Sequence, residues 1–150
     1  MKTRLIGALI VLAIGFAVPT FAPAQNTVEP EVRQQLEAQA LQYDEAWNKH
    51  DGAAIAALYT EDAIRVMDNI DGTVSVGREA IAKEFAGYFA ASLPLPVHKI
   101  TQVYAIEDRV VVTSEWSQGI LSGHTVSILY REANVWKIRM QFVTLTHAPR

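Results

Sequence analysis

The chain contains no cysteine. That excludes disulfides, thiolate metal sites and cysteine nucleophiles together. Neither a GxSxG elbow nor a GxGxxG loop occurs, so there is no sequence basis for a serine-hydrolase or dinucleotide site. The histidines, at 50, 98, 124 and 147, never fall in HxH or HxxxH spacing, so no metal site is expected. Lys and Arg number 13 against 16 Asp and Glu, without a basic cluster. An acidic chain of this kind offers nucleic acid no electrostatic footing. No repeat or low-complexity tract appears.

What is present begins with an export signature. Lys2 and Arg4 precede an apolar run from Leu5 to Val18, and Ala22-Pro23-Ala24 supplies small residues for signal peptidase. The run is short for a membrane span, and Pro19 and Pro23 follow it. Residues 1–24 are therefore expected to be a signal peptide and 25–150 a single domain, periplasmic or secreted, with no membrane attachment after cleavage. Losing Lys2 and Arg4 would take the net charge from −3 to about −5.

From Pro30, the residues Val32, Leu36, Ala40, Tyr43 and Trp47 recur at helical spacing. The stretch NKHDG should end that helix, with Asp51 capping a short second one through AAIAALY. IRVM reads as a strand, DNIDG as a turn and TVSV as a short extended piece. REAIAKEFAGYFAAS makes a third helix. After LPLP the pattern changes to β-rich segments broken by turns: VHKITQVYAIE, VVVTSEWSQ, HTVSILYRE and VWKIRMQFVTLT. Helices segregated against an antiparallel meander define an α+β domain.

This order, with AWNKHDGAAIAALYTEDA, VGREAI and VWKI at these separations, resembles the NTF2-like superfamily, and within it the SnoaL-like and ketosteroid isomerase-like branch. The resemblance implies a cone: three N-terminal helices packed on a curved, mostly antiparallel sheet, with an apolar pocket at the wide end, commonly in a homodimer. Isomerases, cyclases and non-catalytic binding proteins share that fold, so it does not by itself give a function.

The resemblance also nominates residues. Tyr43 stands five positions before Asn48, which reproduces the spacing of the isomerase tyrosine whose phenol stabilises an enolate. A half-buried helix tyrosine is the plain alternative. Asp68 falls within one residue of the isomerase base, with Met67 at the ungapped position, and successive strand residues face opposite ways. The isomerases' second acid is missing, because HTVSILYRE offers only Thr125 and Ser127 there. SnoaL-type cyclases pair a histidine with an aspartate, for which His124 and Asp68 are the nearest equivalents. Trp47, Tyr59, Phe85, Phe89, His98, Trp116, Tyr130 and Met140 are the expected pocket lining. On the last strand Lys137, Arg139 and Gln141 should alternate outward, leaving a solvated outer sheet face.

The leading expectation is an exported domain that binds a small apolar molecule, without a cofactor. The alternative is a cofactor-free isomerase or cyclase that removes a proton next to a carbonyl, with Asp68 as base and Tyr43 as donor. A structural dimer using its open sheet face is the third possibility.

Overall fold

The computed structural model describes residues 28–68 and 72–146. The expected signal peptide and its cleavage point lie outside them. Helix α1 (Pro30–Asn48) opens with proline in its first turn and buries Leu36, Ala46 and Trp47. It ends where His50 takes a positive φ of 53°, and Asp51 then caps α2 (Gly52–Ala56) by accepting a 2.8 Å bond from the Ala54 N–H. Strand β1 (Tyr59–Asp68) and the short β2 (Thr73–Val76) form a hairpin ahead of α3 (Gly77–Ala90). A meander of β3 (Val97–Ile106), β4 (Arg109–Gln118), β5 (Leu121–Glu132) and β6 (Val135–Thr146) follows. Among the described residues, two helices thus precede the first strand and a third follows a hairpin, which refines the expectation of three N-terminal helices.

The six strands form one curved sheet in the order β2-β1-β6-β5-β4-β3. All neighbours are antiparallel except β1 and β6, which run parallel. The β5–β6 hairpin turns on Ala133 and Asn134, both at positive φ (46° and 67°), as a two-residue turn matched to strand twist demands. One core cluster joins the helices through Trp47, Ile55, Tyr59, Ile81 and Phe85. A second lies under the start of α1, around Leu36, Val103, Val110, Leu129 and Trp136. Each such side chain contributes about 1.5–3 kcal/mol by leaving water.

One irregularity decides which residues face the helices. On β6, Ile138 pairs with Leu129 and Met140 with Ile128, leaving Arg139 bulged between them. The bulged Arg139 reaches Asp62, donating to its carbonyl and forming a 2.9 Å ion pair with its carboxylate. The bulge shifts the alternation by one residue. Trp136 and Ile138 point inward before it, Gln141 and Val143 after it, so Met140 and Phe142 face out. This corrects two expectations: Gln141 is an inner residue, and Met140 is an outer one.

The outer face is also less polar than expected. Val74, Val66, Phe142 and Val126 are successive cross-strand partners, as are Val76, Ile64, Met140, Ile128 and Val111. Val74, Val76, Val126 and Phe142 are exposed. Lys137 and Arg139 do not cover these rows, because their side chains turn to the Ala57 carbonyl and to Asp62.

Candidate functional site

Between the helices and the inner face of the sheet lies a cavity with two adjoining lobes of about 310 and 290 Å³ that share Tyr43, Pro96, His98 and Gln141 as walls. Its floor follows from the strand register. One inward row runs Ser75, Arg65, Gln141 and Ser127; the next runs Met67, Val143, Thr125 and Ser114; a third runs Leu145, Gly123, Trp116 and His98. The α3–β3 connection supplies Leu93, Leu95 and Pro96. It is tied to β4 by a 2.6 Å bond from the Gln118 amide to the Pro94 carbonyl.

The first row is a buried polar network. Arg65, 5% exposed, donates from Nε to Gln141 Oε1 (3.1 Å) and from Nη1 to Glu84 in a buried ion pair. Glu84 also accepts from the Tyr88 hydroxyl and, at 2.8 Å, from Ser75 Oγ. Tyr59 donates to Gln141 Oε1 at 2.6 Å, and the Gln141 amide donates to Ser127 at 3.1 Å. The network crosses four strands and pins α3 to the sheet. Burial pulls the Arg65 guanidinium toward its neutral form, but Tyr59, Glu84 and Tyr88 outweigh that and hold it protonated. The Tyr88 phenol is pushed up to about 12, chiefly by burial, so it stays a donor.

Trp116 occupies the third row because its partner is glycine. A β-carbon on Gly123 would collide with the Thr144 carbonyl and lie 2.8 Å from the indole ring. The ring is buried, it lines the larger lobe, and its Nε1–H has no partner among the described residues.

Tyr43 projects between the lobes from α1, with ring centroids 5.9 Å from Trp47, 6.0 Å from Phe85 and 5.4 Å from His98. Burial raises its phenol well above the ordinary tyrosine value, so it too remains a neutral donor. Burial likewise lowers the His98 imidazole, favouring the uncharged ring against the edge of Tyr43. Among the described residues, no group of three or more His, Asp or Glu side chains could hold a metal.

Of the residues nominated from sequence, Tyr43, Trp47, Tyr59, Phe85, His98 and Trp116 meet around this cavity. Five do not. Asp68 is exposed, and Met67 takes the inward position beside Arg65. His124 faces outward because Thr125 beside it faces in; Asp68 and His124 both pair with Thr144, on the face opposite the cavity. Tyr130 shares that outer face, where Arg109 lies 5.0 Å over its ring. Met140 is turned out by the bulge. Phe89 packs between helices, 5.2 Å from Trp47 and 5.0 Å from His50. Arg65, Glu84 and Gln141 were missed, since charged and amide side chains in an amphipathic pattern ordinarily read as solvent-facing. Arg65 did share its strand parity with Ala63 and Met67, the one available hint.

Residues 40–144 match the model of the SnoaL-like domain, so the chain belongs to the SnoaL-like family of the NTF2-like superfamily. No curated protein matches it. Among solved structures it is similar to an NTF2-like protein of unknown function from Silicibacter pomeroyi, with TM-score 0.65, 16% identity, and 80% of this chain and 100% of that one covered. It is also similar to a ketosteroid isomerase-like protein from Erwinia carotovora atroseptica, with TM-score 0.62, 19% identity, and 79% and 98% covered. A Nostoc punctiforme domain of unknown function with a cystatin-like fold gives TM-score 0.66, 16% identity, and 78% of each chain covered. At these identities the likeness carries the fold alone.

Proposed function

We propose that this chain is an exported binding protein that holds a small, largely apolar molecule in the two-lobed cavity without turning it over. The observation that carries this reading is the lining of the larger lobe. Aromatic and aliphatic side chains dominate it, and among the described residues it includes no aspartate or glutamate. Abstracting a proton next to a carbonyl requires a base within hydrogen-bond reach of the carbon acid. Asp68, the base nominated for an enolate mechanism, is exposed on the opposite face, and of the other groups able to take a proton Asp44 borders only the smaller lobe and His98 the wall between the two. Export rests on Lys2, Arg4, the Leu5–Val18 run and Ala22-Pro23-Ala24.

The test is a titration with the neutral fluorophore N-phenyl-1-naphthylamine, followed by emission. Saturable enhancement in wild type, weakened in Leu121→Trp at the cavity's exposed rim, is the expected result. Absence of saturable binding would overturn the reading. In parallel, a β,γ-unsaturated ketone is followed for conjugation by ultraviolet absorbance. Turnover lost in Tyr43→Phe would favour the isomerase alternative.

The partner of the outer sheet face is a second copy of the chain. Its central rows, from Val74 to Val126 and from Val76 to Val111, contain no charged side chain. A two-fold axis would set each row against its own copy with no like-charge clash. An exposed apolar face of this extent on a lone domain would favour aggregation. Sedimentation equilibrium showing a monomer at micromolar concentration would refute the dimer.

A further inference from the structure

Resting on the binding reading above, we infer that the α3–β3 connection is the gate of the cavity and that the Gln118 side chain is its latch. The first observation is the make-up of the wall. Among the described residues that line the larger lobe, only Leu93 and Pro96 lie outside a helix or a strand. Leu95 and Pro96 carry the same connection into the smaller lobe. The rest of the larger lobe is walled by paired strands and by α1 and α3, and α3 is pinned to the sheet through Arg65 and Glu84. The wall can therefore part at the connection without breaking any regular structure.

The second observation is how little holds that stretch. Helix α3 is closed before it: Ser92 takes a φ of 54° and donates to the Phe89 carbonyl (2.9 Å), and the Leu93 N–H donates to that of Tyr88 (3.2 Å). The strand ladder resumes only after it, where Val97 pairs with Ser117. Pro94 and Pro96 have no N–H to give. Among the described residues, the one hydrogen bond to the backbone of residues 94–96 is the 2.6 Å bond from Gln118 Nε2 to the Pro94 carbonyl. No charged side chain occurs in residues 90–97 or 116–123, so no ion pair ties the two edges together. Leu93 and Leu95 are only half-buried against the helix cluster. Gln118, by contrast, sits at the end of β4 and pairs with Leu121 across the hairpin. A stiff, proline-set segment hinged at Ser92 thus closes on a side chain carried by the sheet.

An apolar ligand enters and leaves when that bond opens. The first readout needs no ligand. Because the chain has no cysteine, Thr125→Cys places a single thiol on the cavity floor, at a position only 5% exposed. Its labelling by monobromobimane, a neutral reagent used dilute enough to sample the open population, reports the gate. Adding Gln118→Met keeps the side chain's length and removes its donor. Labelling should then quicken about fivefold, as expected for the loss of one net hydrogen bond. Equal labelling with and without Gln118→Met would overturn the inference, whatever the cavity binds. The second readout is stopped-flow association of N-phenyl-1-naphthylamine with the full chain. Gln118→Met should speed association about fivefold, whereas a change confined to dissociation would make Gln118 a ligand contact and overturn the gate. Conversely, Pro94→Cys with Gln118→Cys, bridged by a short bis-maleimide, should slow association about tenfold relative to the unbridged pair. Unchanged association after bridging would overturn the inference. Absence of saturable fluorophore binding in wild type would refute the binding reading itself, and the labelling rates would still decide the gate.

Discussion

Each face of the sheet carries rows that run against the usual arrangement. The inner face, covered by helices, carries Ser75, Arg65, Gln141 and Ser127 in one hydrogen-bonded row. The outer face, on which none of the described helices packs, has central rows of valine, isoleucine, methionine and phenylalanine. Most half-covered antiparallel sheets place apolar residues under the cover and polar residues in water. These rows are physically consistent if each face has a partner. The polar groups of the inner row are tolerated because each is bonded to another, and some of them serve a cavity. Apolar groups outside are tolerated if a second sheet covers them.

The largest expected effect comes from unbalancing the inner row. Glu84→Gln leaves the Arg65 cation buried without its counter-ion and should cost about 3–5 kcal/mol in urea unfolding. Replacing both, as Arg65→Met with Glu84→Met, should cost less than Glu84→Gln alone, because no buried charge remains unpaired. A double variant at least as unstable as Glu84→Gln would show that the pair is worth more than apolar packing in its place.

The outer face should respond in a different currency. Phe142→Glu, in the middle of the exposed apolar row, should leave the monomer folded and weaken self-association by about 2 kcal/mol or more, as expected for a central aromatic. Sedimentation velocity across a concentration series reads this directly. Unfolding of the variant as a monomer would instead mark Phe142 as core. A smaller effect, about 1 kcal/mol, is expected from Tyr59→Phe on the inner side. Gln141 Oε1 keeps its bond from Arg65 there, so only one of its two donors is lost.

The same contrast explains what the sequence disclosed. The helices, the hairpin turns and the α+β order were legible because their signals are local: Pro30 opening α1, Asp51 capping α2, and Asn134 in the β5–β6 turn. The helical part of the site was legible for the same reason. The spacing of Tyr43 and Trp47 places both on one face whatever surrounds them. The strand part was not. In HTVSILYRE the set Val126, Ile128 and Tyr130 looks more like core than Thr125 and Ser127, yet the latter face inward. In VWKIRMQF no glycine or proline marks the bulge, which is held by a side-chain contact to Asp62, far away in sequence. Alternation assigns a strand's faces only up to the first bulge.

The smallest expected effect lies at the rim, where a single proton tests whether the cavity is as dry as its lining suggests. His98 lies in the row of Trp116, with Tyr43 against its ring and Asp44 and Arg65 also acting on it. Burial, with a lesser contribution from Arg65, lowers its affinity for a proton in the folded state, and Asp44 opposes them only in part. The unfolded chain therefore takes up the proton first as pH falls. Stability contributed by neutral His98 is complete above the unfolded value of about 6.5 and declines below it, until the folded imidazole is protonated too. The side chain keeps considerable exposure, so solvent screening makes the loss modest. Urea midpoints of wild type and His98→Asn between pH 5 and 8 should run parallel above about pH 6.5 and converge or cross below it. Curves parallel throughout would mean that the imidazole is as well solvated in the folded chain as in the unfolded one, and that water reaches the rim of the cavity freely.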